Sequence, residues 1–548
     1  MTAERRTFLG SLPLLAALLT TLVITAAGFA QTEQSLGEFI YPIDDAYIHM
    51  AMARNLAQHG VYGVTPFETV HASSSPLWVL LLSVGFLLLG PWPLLPFVVA
   101  TLCGIAILLI AHRYLRLQPS ADHGFADLAG RGFVLCLIAI GGSLPAIALQ
   151  GMEHALHAAL ILLAAVLGID AIARRDPDRR RDVALVLLCC VLPVLRYESI
   201  WVIGFLAMGL LWRRRFALAA GIALAAALSV CAVGFWAMSH GLSFLPAPIL
   251  TKSVGPLLLT DNGIDRIAAK LIWHPLWRLG RVPMLALLFL SGAGFLAVML
   301  WRLRLAAFEQ GRVLMVALFV GCTWVHATFA TFGWGGRYEA YLIVLGTAAM
   351  GGAALDLRWR LQPALTSHRV AGLAAGLATA LIIYTALGRG QTSYRNSLWA
   401  SEEVLNRDVY VGRFLAKAYP GASVLAMNIG AVAWEGEPHL LDPVGLATAE
   451  IPPLIFARRY DTAALEAIAR RRDVQVFAIF DEWFEIWVGG QPRWVRVAQI
   501  DASNERRSLV LTLYARDGSE GRILADRLKT VRPEGHFSVK LKLMQPFE

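Results

Sequence analysis

Long apolar runs alternate with short basic breaks from Phe8 to Leu387. A bilayer-spanning helix needs about 20 mostly apolar residues. The pattern predicts such helices near 8–30, 132–150, 153–173, 183–195, 199–212, 216–240, 283–301, 312–332, 338–355 and 370–387. The stretch 74–112 is broken by Pro91-Trp92-Pro93 and Pro96 and reads as two segments. One half is then short, tilted or re-entrant, which is tolerable where it is buried in protein. The total is about eleven spans. The run 8–30 is longer than the apolar core of a signal peptide and reads as a retained first helix. After Leu387 the pattern changes. Ser423–Met427, Val474–Phe480 and Ser508–Tyr514 read as strands, and Tyr410–Ala418 and Thr462–Arg472 as helices. The expected fold class is a polytopic α-helical membrane protein, residues 1–387, with a C-terminal soluble α/β domain, residues 388–548.

Composition agrees with that division. The chain is 57% hydrophobic and 16% charged, with a mean hydropathy of +0.58, where soluble domains run at about 45–50% and about 25%. Several ordinary soluble domains are excluded, and so is disorder. The net charge of +9 sits in clusters between apolar runs: Arg174-Arg175, Arg179-Arg180-Arg181, Arg213-Arg214-Arg215, Arg302/Arg304 and Arg358/Arg360. That is the distribution of cytoplasmic loops, not of a nucleic-acid surface. With those clusters inside, the outer side receives the first loop 31–73, the turns near Gly151 and Arg196, the loop 241–282, residues 333–337, and everything after 388. The expected location is therefore a bacterial inner (plasma) membrane, with the C-terminal domain outside. The six cysteines all lie in apolar runs and show no metal-ligand spacing. The sequence holds no Walker A motif, no GxGxxG after a strand and no HExxH.

The first outer loop reads Tyr41-Pro42-Ile43-Asp44-Asp45-Ala46-Tyr47-Ile48 and runs into a helical stretch with Ile48, Met52 and Leu56 on one face. It is expected to be an amphipathic helix on the membrane surface. Two adjacent carboxylates just after a membrane helix have two readings. One of them can cap the helix, but both cannot take the same cap position, which favours a chemical role for at least one. Glu153 and His154 open a helix at the outer surface, with His157 one turn on. Glu153 there suits the helix dipole, while the Glu/His spacing alone falls short of a metal site.

The segment Asp44-Asp45-Ala46-Tyr47-Ile48, a short helix, and then Pro76-Leu77-Trp78 resembles the GT-C-fold glycosyltransferases. Within them the likeness is to the mycobacterial terminal arabinofuranosyltransferases and their bacterial relatives. Further pieces fit in order. Gly151-Met152-Glu153-His154 stands where those relatives carry Gly-Leu-Glu-Thr, and Arg196-Tyr197-Glu198 where they carry Arg-Pro-Glu. Leu245-Pro246-Ala247-Pro248 through Lys252 resembles their Leu-Pro-Asn-Thr and lysine. Gly430-Ala431-Val432-Ala433 and Leu441-Asp442-Pro443-Val444-Gly445-Leu446 resemble a stretch of their outer domain. The chain departs from them at Ser73-Ser74-Ser75, where an Asn or His precedes the Pro-Leu pair, at Tyr197 and at His154.

The resemblance implies inverting transfer of a sugar, arabinofuranose being one candidate, from a polyprenyl-phosphate donor to an envelope glycan, lipid or protein acceptor. The acceptor hydroxyl must lose a proton as it attacks, and Asp44, beside Asp45, is the expected general base. The departing lipid phosphate needs positive charge, for which Lys252, Arg196 and Arg337 are the cations at outer mouths. Other readings of these residues stay open. Arg196 can pair with Glu198, Glu198 can pair with Arg337, and Lys252 can contact lipid headgroups. Some GT-C relatives use a divalent cation, for which Asp45 and His71 are the candidate ligands here. Glu153, His154, Glu198 and His71 are supporting residues. Two rival functions compete: a transporter or flippase of lipid-linked sugars, and a non-catalytic envelope assembly protein. Transporters place charge at mid-helix in two related halves, whereas here charge gathers at outer mouths and the halves differ.

Overall fold

The computed structural model describes residues 3–116, 124–174, 176–250, 269–365, 369–502 and 510–544. Among them, seven helices are long and apolar enough to cross a membrane: Gly10–Leu36, Leu95–Arg116, Phe125–Gln150, His154–Ala173, Phe216–Ser239, Pro283–Glu309 and Gly311–Phe329. Pro76–Leu89, Ser199–Trp212 and Ala340–Asp356 are apolar but shorter. The expected break inside 74–112 falls between Leu89 and Leu95, and the 14-residue helix Pro76–Leu89 is about 21 Å long, less than the roughly 30 Å hydrocarbon core. The helix expected at 183–195 begins earlier, at Arg179, because Asp178 accepts the Arg180 and Arg181 N–H groups as its N-cap.

The chain forms two compact units. One is built from 1–28, 97–232 and 261–396, the other from 29–96, 233–260 and 397–548.

The first unit is a helical bundle. Ala340–Leu365 packs against His154–Ala173, Gly311–Phe329, Phe125–Gly141 and Pro283–Leu303, and its opening turns, Ala340–Ala349, are buried on every side. Small residues allow this approach: a Cβ at Gly346 would come within 2.5 Å of the Phe319 ring. By contrast Phe216–Ser239 buries only 17% of its apolar window inside the protein. Its remaining side chains suit lipid rather than core.

The second unit carries a six-stranded sheet in the order β2-β1-β3-β5-β4-β6. The strands are β1 (Ser423–Ala426), β2 (His439–Leu441), β3 (Val474–Ile479), β4 (Val495–Asp501), β5 (Val510–Ala515) and β6 (Lys540–Leu543). β1 pairs in parallel with β2 and β3, and the other pairings are antiparallel. The parallel pairs are joined through helices, Gly430–Gly436 between β1 and β2, and Ile451–Phe456 and Thr462–Arg471 between β2 and β3. Residues 31–73 belong to this unit. Ser401 donates to the Ile40 carbonyl at 2.7 Å, and Arg413 grips both oxygens of Glu38 at 2.7 and 2.8 Å while also bonding Glu435 at 2.9 Å.

Candidate active site

Helix Asp44–His59 is not the surface helix that its pattern suggested. Ala46 through Asn55 are all buried, so the apolar face Ile48/Met52 and the opposite face, with Arg54, both pack against protein. Neither acidic residue caps its own helix either. Ile43 holds the N-cap position, and Asp44 and Asp45 lie in the first turn.

The Asp44 carboxylate instead reaches a helix 386 residues later. Its Oδ2 accepts the Gly430 N–H at 2.8 Å and its Oδ1 the Ala431 N–H at 2.8 Å. These are unsatisfied donors at the start of Gly430–Gly436. At the other end Arg54 donates to the Trp434 carbonyl at 2.8 Å and the Ala433 carbonyl at 3.1 Å, bonds Glu437 at 2.9 Å and stacks over the Trp434 ring. One helix therefore supplies both the acid and the base that the short helix's polarity calls for. Gly430 is required by the same contact, since a Cβ there would lie 2.2 Å from the Asp44 carbonyl oxygen. This explains the Gly430-Ala431-Val432-Ala433 segment in local terms.

Asp44 is half-buried. Burial and, next, the nearby Asp408 carboxylate push its carboxyl up to about 7, against the pull of the Ala431 and Gly430 N–H groups. Asp45 adds a smaller push in the same direction. The two N–H bonds use about two of the four lone-pair sites of the carboxylate, so Asp44 keeps capacity to take a proton.

His71 is held at Nδ1, 3.3 Å from the Ser243 carbonyl, and its own carbonyl accepts the Ala247 N–H at 3.0 Å. A carbonyl only accepts, so the proton sits on Nδ1 and the buried Nε2, which has no partner among the described residues, presents a lone pair. Burial lowers the imidazole's pKa and keeps it neutral. These bonds tie the Leu245-Pro246-Ala247-Pro248 segment to His71. Lys252, which follows it, lies outside the described residues. Among the described residues no three His, Cys, Asp or Glu gather as metal ligands. The Asp442 segment is a loop-building device: Asp442 accepts the N–H groups of Val444, Leu446 and Ala447 at 2.8, 2.6 and 2.8 Å.

The first unit holds the other expected residues. Arg196 donates to Glu153 at 2.9 Å and to both oxygens of Glu198 at 3.2 and 2.5 Å. The pairing of Arg196 with Glu198 is thus the one realised. His154 lies 3.7 Å from Glu153 and stacks on Tyr338. Both guanidinium groups, of Arg196 and of the buried Arg337, sit over the same ring at 5.4 and 5.2 Å. Glu153, His154, Arg196, Glu198 and Arg337 are therefore brought together. Sequence reasoning missed two neighbours. Arg389 binds Glu339 at 2.6 Å and the Gly141 carbonyl at 3.0 Å, and Glu339 in turn accepts the Gly333 N–H at 2.8 Å. The signal for Arg389 was present, a cation just beyond an apolar run.

Comparison with known proteins adds the fold. Residues 396–519 match the model of a domain of unknown function, DUF8728. A comparison with curated protein sequences gives no match. Among solved structures, the chain is similar to ArnT from Cupriavidus metallidurans bound to undecaprenyl phosphate, at 11% identity and a TM-score of 0.50, covering 90% of this chain and 97% of that one. It is also similar to the oligosaccharyltransferase of Archaeoglobus fulgidus in its apo form, at 12% identity and a TM-score of 0.50, covering 88% of this chain and 73% of that one. At this identity the likeness concerns the fold, and that fold is the GT-C-like one: a polytopic α-helical membrane protein with an α/β domain at its C-terminus.

Proposed function

We propose that the chain is an inverting glycosyltransferase that moves a sugar from a polyprenyl-phosphate donor to an acceptor of the cell envelope, with Asp44 as general base. The observation that carries the reading is the Asp44 carboxylate, oriented by two N–H bonds, tuned to about 7 and part-exposed. A base works best with a pKa near the operating pH. The acceptor hydroxyl passes its proton to Asp44 as its oxygen bonds to the anomeric carbon. The carbon–oxygen bond to phosphate breaks, and the lipid phosphate leaves with the electron pair. Arg196 is engaged by both Glu153 and Glu198, which leaves its guanidinium little to offer a phosphate. Donor phosphate binding is accordingly assigned to Arg337 and Lys252, and Arg196 to holding the outer helix mouths.

The ArnT structure contains undecaprenyl phosphate, which supports a polyprenyl carrier for this chain. Arabinofuranose as the sugar, a kinship with the mycobacterial arabinofuranosyltransferases, and an outward-facing C-terminal domain in a bacterial inner membrane complete the proposal. Purified protein given undecaprenyl-phosphate-linked pentoses and hexoses with an arabinan acceptor should transfer one of them with inversion at the anomeric carbon, read by NMR of the product. Transfer with retention, or equal transfer by the Asp44→Asn protein, would sink the mechanism.

A further inference from the structure

We propose that Asp408 is a positioning residue for Asp44, acting through Asn428 on the turn that presents the Gly430 and Ala431 N–H groups, with Arg407 as its counter-charge. The inference rests on the general-base reading of Asp44.

The path is continuous. Asn428 Nδ2 donates to both oxygens of Asp408, each at 3.1 Å. Two residues later in the chain, Gly430 N–H holds Asp44 Oδ2, and the next N–H holds Oδ1. The backbone on either side is tied as well, Met427 N–H to the Ala478 carbonyl at 3.2 Å and Ala433 N–H to the Ile429 carbonyl at 3.0 Å. Asn428 is thus the side-chain link that fixes where those two donors point.

Asp408 has no freedom of its own. Arg407 grips both its oxygens, Nε at 3.0 Å and Nη2 at 2.9 Å, and lies over the Phe480 ring at 5.0 Å. Neighbouring side chains in an α-helix diverge by about 100°, so a bidentate grip between consecutive residues is unusual. Here Leu405–Val409 is a π-helical turn, a rare feature that is frequent at functional sites. All five of its residues are buried. A buried, charged, fully gripped carboxylate is costly, and a role in packing alone would be served by an apolar pair.

The surroundings of Asp44 leave little else to hold it. Its own helix brings Asp45, and Arg54 is engaged at the far end. Helix Pro76–Leu89, packed against it, carries no titratable side chain. Of the acidic residues on or after Gly430–Gly436, Glu435 is paired with Arg413 and Glu437 with Arg54. From the π-helical turn come Asp408, whose charge reaches Asp44, and Arg407, which feels Asp44 in return.

Asn428→Ala is the test, because it cuts the path while leaving the Arg407–Asp408 pair intact. With undecaprenyl-phosphate arabinofuranose and a synthetic arabinan acceptor, kcat should fall about ten- to hundredfold, the range expected of a misplaced catalytic group, at unchanged donor KM. Hydrogen–deuterium exchange at the Gly430 and Ala431 amides should speed up about tenfold, independently of activity. In an Asp44→Asn background the same change should cost nothing further. Wild-type kcat in Asn428→Ala with Asp44→Asn inactive overturns the inference alone, and so does an additive loss in the double variant. An Asp44→Asn protein with wild-type turnover overturns the base, and the inference with it.

Discussion

Glu153, Glu198 and Glu339 of the helical unit and Asp44 of the sheet-bearing unit are held in opposite ways. In the helical unit each is met by a guanidinium: Glu153 and Glu198 share Arg196, and Glu339 takes Arg389. Removing one member of such a pair strands the other. In the sheet-bearing unit Asp44 is met by two neutral N–H groups and faces another carboxylate, Asp408. Its charge is tolerated rather than neutralised, so a proton can come and go near neutral pH. Burial alone therefore does not mark a catalytic acid or base; the nature of the partner does.

The largest expected effect breaks the comparison at Asp44. Asp44→Asn should remain folded and membrane-inserted but lose about 10²–10⁴ in turnover, the contribution of a positioned general base, measured on purified protein. Arg196→Met comes next. It strands Glu153 and Glu198 and should cost about 3–5 kcal/mol of stability, seen as a lowered melting temperature and poor recovery in detergent. If Asp44→Asn were merely unstable and Arg196→Met merely inactive, the two roles would be reversed.

The pH profile sharpens the contrast. Asp44 must be deprotonated to act, and its carboxyl is raised to about 7. Below that, kcat/KM should climb about tenfold per pH unit and then level off above it. A profile flat from pH 5 to 8 would mean that Asp44 does not titrate in that range. The smallest effect is the control. Arg472 bonds Glu68 at 2.9 Å and Glu450 at 2.8 Å, but at a half-exposed position. Arg472→Ala should cost less than about 1 kcal/mol by thermal denaturation and leave transfer unchanged.

Much of this was legible in the chain, and what was not has physical causes. Apolar runs gave most of the helices within a few residues, although Ala340–Leu365 and Arg369–Val404 run well past the ends expected at 355 and 387, and Tyr410–Ala418, Val474–Ile479 and Thr462–Arg471 lie where alternation and helical period placed them. Asp44-Asp45 and Arg196-Tyr197-Glu198 stood out because charge beside apolar sequence is costly. The period of Asp44–His59 misled, because it cannot tell a face that meets lipid from one that meets another helix. β2 has three residues, too few to show alternation. Asp408 and Asn428 carry no local signal at all, since their meaning depends on partners that only the fold brings near. Gly430 was visible as a motif, but its cause, the backbone of Asp44, lies far up the chain.

That sequence separation has a consequence for biogenesis. Asp44 leaves the ribosome early, yet the N–H groups that hold it lie 386 residues downstream. At a synthesis rate of about 5–20 residues per second, the carboxylate waits roughly 20–80 s for them. A nascent chain stalled before Gly430 would carry the membrane helices of the bundle and a first loop without its anchor. Under the proposed function, competence for transfer would then arrive late, once Gly430 and Ala431 have emerged and can hold Asp44.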